Sequence, residues 1–207
     1  MTKSLWTVLS EKYWKEREKL IKEIEGFDKY IGITGVRNVR IEDVKSFLDG
    51  IRKKTEDVSV QFFNANLIAG PEHLYFAALN ALKAFESHLN ICKRLALEIL
   101  LYASAQGQIK KAVELLGVKA QSSEVAVLAI ADTEAKVCET LKVISEFIQG
   151  KCDDNVIELS DTKVEAIKEL FGISELELEA KLEKRGFEKE ALINLVIEHM
   201  ALLATER

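Results

Sequence analysis

The sequence predicts an α+β domain, largely helical, in which a small, mostly antiparallel sheet of about four strands packs with about eight helices. Three observations carry this. Most segments repeat apolar residues at three- and four-residue steps. Four short runs are instead β-rich or continuously apolar. The 207 residues are 48% hydrophobic with one proline and ten glycines, which supplies a core and excludes collagen-like and Pro-rich linker architectures.

The elements follow in order. Trp6, Leu9, Tyr13, Leu20, Ile24 and Phe27 recur at helical steps, with Gly26 as the stop. Residues 1–28 therefore read as an N-terminal amphipathic helical extension, and residues 29–207 as a single α+β domain. Ile31 to Val39 reads as a strand, and Val44, Phe47, Leu48 and Ile51 as one face of a short helix. Val58 to Phe63 alternates and is the second strand. Pro71 suits a first helical turn, and Leu74, Ala77, Ala78, Ala81, Leu82 and Phe85 continue that helix. Leu95 to Tyr102 is apolar except for Glu98, which predicts a buried helix; Gln108 to Leu116 is the next, stopped by Gly117. Val125 to Ile130 is a buried strand, followed by a helix capped at Asp132 or Thr133 and ended by Gly150. Val156 to Leu159 is expected as a fourth strand. Helices then open at Ser160 and Ser174, and a terminal helix runs from Glu188 to Ala204.

Charge is unevenly spread. The net −5 resolves into +3 over residues 80–120 and −7 over residues 153–207. That excludes indiscriminate coating with nucleic acid and leaves room for a local basic contact. No run of about 18 apolar residues crosses a membrane, and no signal-peptide pattern is present, so the expected location is cytoplasmic. Cys92, Cys138 and Cys152 form no C-x-x-C pair, which predicts reduced, mostly buried thiols rather than a metal knuckle.

Catalytic patterns are missing. There is no phosphate-cradling glycine motif, no pair among His73, His88 and His199 at i, i+4, and no nucleophile elbow at Ser104. A lone helical histidine is more often a surface or satisfied core residue than a ligand. Asp153-Asp154 suits a solvated turn. Glu98, if buried, needs a partner, for which Lys93, Arg94 or Lys110 are candidates. No metal and no cofactor are called for. Residues 88–111 stand out: basic and amide side chains flank the most apolar helix, with small residues at Ala103 to Gly107, an arrangement suited to a phosphodiester with splayed bases. An ordinary helix–turn–helix with a charged surface fits the same pattern.

The run Gln61 to Gly70, the helix Pro71 to Phe85, Asn90-Ile91, Lys93, Leu95, Glu98 to Ser104, Gln108-Ile109 and Gly117 resemble the PRPK-binding protein family. That is the kinase-binding subunit of the archaeal and eukaryotic KEOPS complex, which installs threonylcarbamoyl on an adenosine beside the tRNA anticodon. The resemblance runs from about Gly32 to the C-terminus. It implies a non-catalytic subunit that docks on the small-kinase (ATPase) subunit, supports its activity and, in archaeal members, binds the single-stranded CCA end of tRNA. It implies no membrane partner and no small-molecule substrate.

On this resemblance the tRNA-end residues are expected to be Asn90, Lys93, Arg94, Ser104, Gln106, Gln108 and Lys110. Three positions depart from the family: Ala105 stands where Gly is usual, Gln106 where a basic residue often follows, and Arg94 where Ser or Thr is common. The kinase contact is expected on the terminal helix at Leu192, Leu195, Val196, His199, Met200 and Leu203, because Ile193 and Ile197 make that helix apolar over more than one stripe. Two other readings stay open. One is a kinase-binding regulatory module without tRNA contact. The other is a small enzyme using Glu98 or Asp154 with His73 or His88.

Overall fold

The computed structural model describes residues 21–205, apart from 149, 183 and 185. Its first described element corrects the N-terminal helix. Lys22–Ile24 is a strand, β1, that turns into β2, Lys29–Arg37. Gly26 at φ +84° and Asp28 at φ +46° make the turn, and the Phe27 N–H donates to the Ile24 carbonyl at 3.2 Å. Ile24 is thereby buried by sheet pairing instead of by a helical face. The remainder of that expected helix, with Trp6, Leu9, Tyr13 and Leu20, lies outside the described residues.

β3 is Ser59–Asn64, β4 is Glu124–Ala131 and β5 is Lys151–Cys152. The order is β1-β2-β4-β3, with β5 pairing the same β2, and every pairing is antiparallel. The register sets Ile31 opposite Ile130 and Phe62 opposite Val127. Eight α-helices accompany this sheet among the described residues.

β4 explains the architecture. Ala126, Leu128 and Ile130 face one helical layer: α2 (Pro71–Glu86), α3 (Leu95–Ala103), α4 (Ile109–Leu116) and part of α8 (Glu188–Thr205). Val125, Val127, Ala129 and Ala131 face the other: α1 (Val44–Arg52) and α5 (Glu134–Ile148). With both faces covered, alternation has no polar side, so β4 reads as continuously apolar. Gly32 lets α5 lie close against β2: a Cβ there would stand 2.6 Å from Val137 Cγ1 and 2.8 Å from Leu141 Cδ1. A third cluster, Ala69, Leu159, Ile167, Phe171, Leu192, Leu195 and Val196, joins α6 (Asp161–Phe171) to α8. The short α7, Glu175–Lys181, opens with the capping box of Ser174 and Glu177.

The strand expected at Val156 to Leu159 is not formed. Asp154–Val156 is a 3-10 turn in which the Asp153 carboxylate accepts from the Asn155 N–H at 3.1 Å. Lys163 Nζ donates to the carbonyls of Val156 at 2.6 Å and Glu158 at 3.0 Å. Val156, Ile157 and Leu159 are all buried. Their backbone groups are satisfied by a turn and a lysine, which removes the need for a ladder. The Asp153-Asp154 pair is also more than a solvated turn. Asp154 Oδ1 accepts from the Gly35 N–H at 2.9 Å, and Asp153 Oδ2 pairs with Arg37 Nε at 3.0 Å.

Candidate functional site

The basic block is built from two helix ends with one hydrogen-bonding pattern. At the end of α2, His88 is left-handed at φ +57°; its N–H donates to the Phe85 carbonyl and the Leu89 N–H to that of Ala84, at 3.2 and 2.8 Å. At the end of α3, Ala105 is left-handed at φ +48°; its N–H donates to the Tyr102 carbonyl and the Gln106 N–H to that of Leu101, at 2.9 and 3.0 Å. Both are Schellman closures, and both place a residue with a Cβ where glycine is usual. A glycine at position 105 would adopt this φ without strain.

The loop from Leu89 to Arg94 is pinned by Glu98. This side chain is fully buried, and its Oε2 accepts from the N–H groups of Ile91 at 3.0 Å and Cys92 at 2.8 Å. The buried acid thus meets backbone N–H donors, instead of the expected Lys93, Arg94 or Lys110. Asn90 Nδ2 donates to the Cys92 carbonyl at 3.0 Å and braces the same loop. Lys93 and Arg94 are exposed at the start of α3 and have no ion-pair partner among the described residues. Together with Arg52 they line a cavity of about 620 Å³ between α1, β3, α3 and α4, whose apolar lining includes Val44, Leu48, Val60, Leu97 and Val113.

The expected tRNA-end residues therefore fall into two groups at opposite ends of α3. Asn90, Lys93 and Arg94 sit at its start. Ser104, Gln106, Gln108 and Lys110 sit at its end, about 14 Å away along a nine-residue helix. Gln108 precedes α4 with its side chain off the helix cap, and Lys110 is 89% exposed, 4.0 Å from Glu114. Ser104 is a correction: it is fully buried, and its hydroxyl donates to the Leu100 carbonyl at 2.8 Å. It shapes the turn and presents nothing to solvent. Gln106 is half-buried. Residue-type reasoning passed over the apolar side chains in the same loops: Leu89, Ile91, Ile109 and Val113 are all exposed. Their signal was an apolar residue set among lysines on a segment that the structure leaves uncovered.

His73 anchors the far end of α3. Its Nδ1 accepts from the Ala69 N–H at 3.2 Å, and its Nε2–H donates to the Ala103 carbonyl at 2.7 Å. Its ring meets Phe171 edge-on at 5.6 Å between centroids. Burial pushes its pKa down to about 4, against the opposing effect of the Ala103 bond. It is a satisfied core histidine. His88 is exposed and lies in the loop after α2. Cys92 and Cys138 are buried and Cys152 is half-buried. No group of three metal-ligating side chains assembles among the described residues. His73 bonds to the backbone of Ala69 and Ala103, Glu98 accepts from Ile91 and Cys92, and Asp154 accepts from Gly35.

The terminal helix requires a larger correction. Leu192, Leu195, Val196, Met200 and Leu203 are buried in the chain's own core, and His199 alone of the six is half-exposed. Ile193 packs on the α6–α8 cluster and Ile197 on the cluster of α2 and α3. The two apolar stripes are explained by two internal clusters meeting on one helix. Asn194, Glu198 and Leu202 form its exposed face at four-residue steps, with Leu202 56% exposed.

Residues 35–204 match the family model described as kinase binding protein CGI-121. The chain is also 32% identical over 163 residues to the "Regulatory protein Cgi121" of Methanocaldococcus jannaschii, a match covering 79% of this chain and 97% of that protein.

Proposed function

The chain belongs to the CGI-121 kinase-binding protein family, and from that premise we propose that it is a non-catalytic subunit of the KEOPS tRNA threonylcarbamoyladenosine complex. It binds the small-kinase subunit, supports that subunit's activity, and binds the single-stranded CCA end of tRNA to recruit substrate. One observation carries the RNA part of this reading. In a chain of net charge −5, the exposed cations Lys93, Arg94 and Lys110 share the α3–α4 block with exposed Leu89, Ile91, Ile109 and Val113. Cations supply phosphate contacts, and apolar side chains supply surfaces for unpaired bases.

The kinase contact of this reading uses the outer face of α8, at Asn194, Glu198 and Leu202 with His199 on its border, and the burial of the inner face in the chain's own core supports that choice. Substituting Leu202→Asp should abolish capture of the small kinase while the chain stays folded; undiminished capture rejects this placement.

The RNA contact is tested by comparing binding of tRNA with and without its CCA end. Removing the end should weaken binding markedly and lower its salt dependence. Equal binding of both RNAs favours the second reading, a kinase-binding regulatory module without tRNA contact. That alternative draws on the internal use of the Ser104 hydroxyl and the Gln106 N–H.

A further inference from the structure

We propose that the open edge of β3 takes up an acidic, extended segment of a partner protein as an added strand. The sheet order β1-β2-β4-β3 leaves one side of β3 without a neighbouring strand among the described residues. The other edge of the sheet is blunted: β1 has three residues, two of them the charged Lys22 and Glu23, and β5 has two. β3 carries six residues, Ser59 to Asn64, with no charge and no proline among them. Its pairing with β4 runs from Ser59 opposite Ile130 to Asn64 opposite Val125 without a bulge.

The far side of the sheet fixes which backbone groups of β3 face outwards. The Gly35 N–H donates to Asp154 Oδ1, and the Gly35 carbonyl accepts from the Asp153 N–H, each at 2.9 Å. Gly35 therefore turns both groups away from β4. Ala126 lies opposite Gly35, so it turns its own two groups towards β3, where Phe63 is its partner. Alternation along β3 then directs the N–H and C=O of Val60 and Phe62 to the open side. The Phe62 carbonyl accepts from Gln61 Nε2 at 2.8 Å, a local amide standing where the N–H of a further strand would be.

The cavity of about 620 Å³ opens on this edge and selects the occupant. Val44 and Leu48 of α1 flank it on one face of the sheet, and Leu97 of α3 and Val113 of α4 on the other. A strand added at the usual spacing of about 4.8 Å would meet apolar side chains on both faces, as β4 does. Arg52, Lys93 and Arg94 line the same cavity against one carboxylate, Glu56. The complementary occupant is a short apolar run flanked by Asp or Glu. The proposal stands apart from the kinase and tRNA assignments; sharing Lys93 and Arg94 with the latter makes RNA the competing occupant.

The test uses the full-length chain and a fluorescein-labelled peptide, Glu-Glu-Val-Ile-Val-Glu-Glu. Fluorescence anisotropy should show saturable, salt-sensitive binding, and the peptide should slow hydrogen exchange at the N–H groups of Val60 and Phe62. N-methylating the peptide's Val-Ile-Val amides should weaken binding by about tenfold or more, because the strand's donors go while its side chains stay. Lys93→Glu with Arg94→Glu should abolish binding, and Gln61→Leu, which frees the Phe62 carbonyl, should tighten it. If the charge reversals impair folding, the peptide Lys-Lys-Val-Ile-Val-Lys-Lys makes the same comparison on the unaltered chain and should not bind. Failure of the acidic peptide to bind overturns the proposal. So does equal binding of the N-methylated peptide, or protection of the Val60 and Phe62 N–H groups in the free chain. Protection of those groups by a CCA trinucleotide and not by the peptide overturns it in favour of RNA.

Discussion

Helices α3 and α6 end in the same pair of hydrogen bonds but with different residues in the left-handed position. After α6, Gly172 stands at φ +66°, and the Ile173 N–H donates to the Lys168 carbonyl at 2.9 Å. After α3 the position is Ala105 at φ +48°, and after α2 it is His88 at φ +57°. The acidic C-terminal third closes its helix without strain, whereas both ends of the basic block carry a Cβ where it is unfavourable. The two regions differ in exposure as well. The cations of the basic block stay outside, and the apolar stripe of the terminal helix goes inside. Burying a charge is costly unless it is partnered, so Lys93 and Arg94 stay outside while Glu98 goes inside against backbone N–H donors. An apolar stripe shows only that something covers it, and a helix of the same protein serves as well as a partner.

The strongest way to break this comparison is to charge the two sides of α8. Val196→Asp, at a fully buried position, should destabilise the chain by about 4 kcal/mol or unfold it. Leu202→Asp, on the exposed side, should change stability by no more than about 0.5 kcal/mol in the same urea titration. Equal effects would remove the distinction between inner and outer faces.

Acid should next single out the anchor between the regions. His73 is held neutral in the fold at about 4 against an ordinary 6.5, so the unfolded chain binds the extra proton in that window. Stability is then fully present above about pH 6.5 and is lost as pH falls towards 4. The loss from this group between pH 7 and pH 5 is about 2 kcal/mol. Urea titrations at the two pH values measure it, and in a His73→Gln variant this component should vanish.

The loop that presents Lys93 and Arg94 should be the next most sensitive. Glu98→Ala strips the acceptor from the N–H groups of Ile91 and Cys92 and should cost about 1–3 kcal/mol. Lys93→Ala should leave stability unchanged and reduce the salt slope of tRNA binding by about 1 if this cation meets a phosphate.

The smallest effect tests the helix ends directly. Ala105→Gly should stabilise by about 0.5 kcal/mol, because relieved strain exceeds the added chain entropy, and Gly172→Ala should destabilise by about 1 kcal/mol. Thermal melts of the pair should move in opposite directions.

Much of the fold was legible in the sequence because its signals are local. Pro71 opens α2, Ser174 opens α7, Gly172 closes α6, and the period of each helix follows. What was not legible depends on distant partners. Lys22 to Ile24 becomes a strand because β2 offers its edge, although the same residues extend a helical stripe. Val156 to Leu159 escapes the sheet because Lys163, seven residues after Val156, takes its carbonyl. In the candidate site the exposed cations were readable, and so was the burial of Glu98. The acceptor role of Glu98 was not, since its partners are backbone groups that carry no sequence signal. Ser104 misled because a small polar residue in a loop looks available until its hydroxyl is found bonded to the preceding turn.

The position of β4 also sets an order of events. It is the inner strand that joins β2 to β3, yet it is the fourth strand in the chain. β2 and β3 must therefore emerge from the ribosome, followed by α2, α3 and α4, before the strand that holds them together has been made. Closing that long excursion costs chain entropy before any ladder bond offsets it, so folding should be slow for a chain this helical. Until Ala131 has emerged, the N-terminal strands present unpaired edges, and a nascent chain stalled at that length is the species most exposed to aggregation.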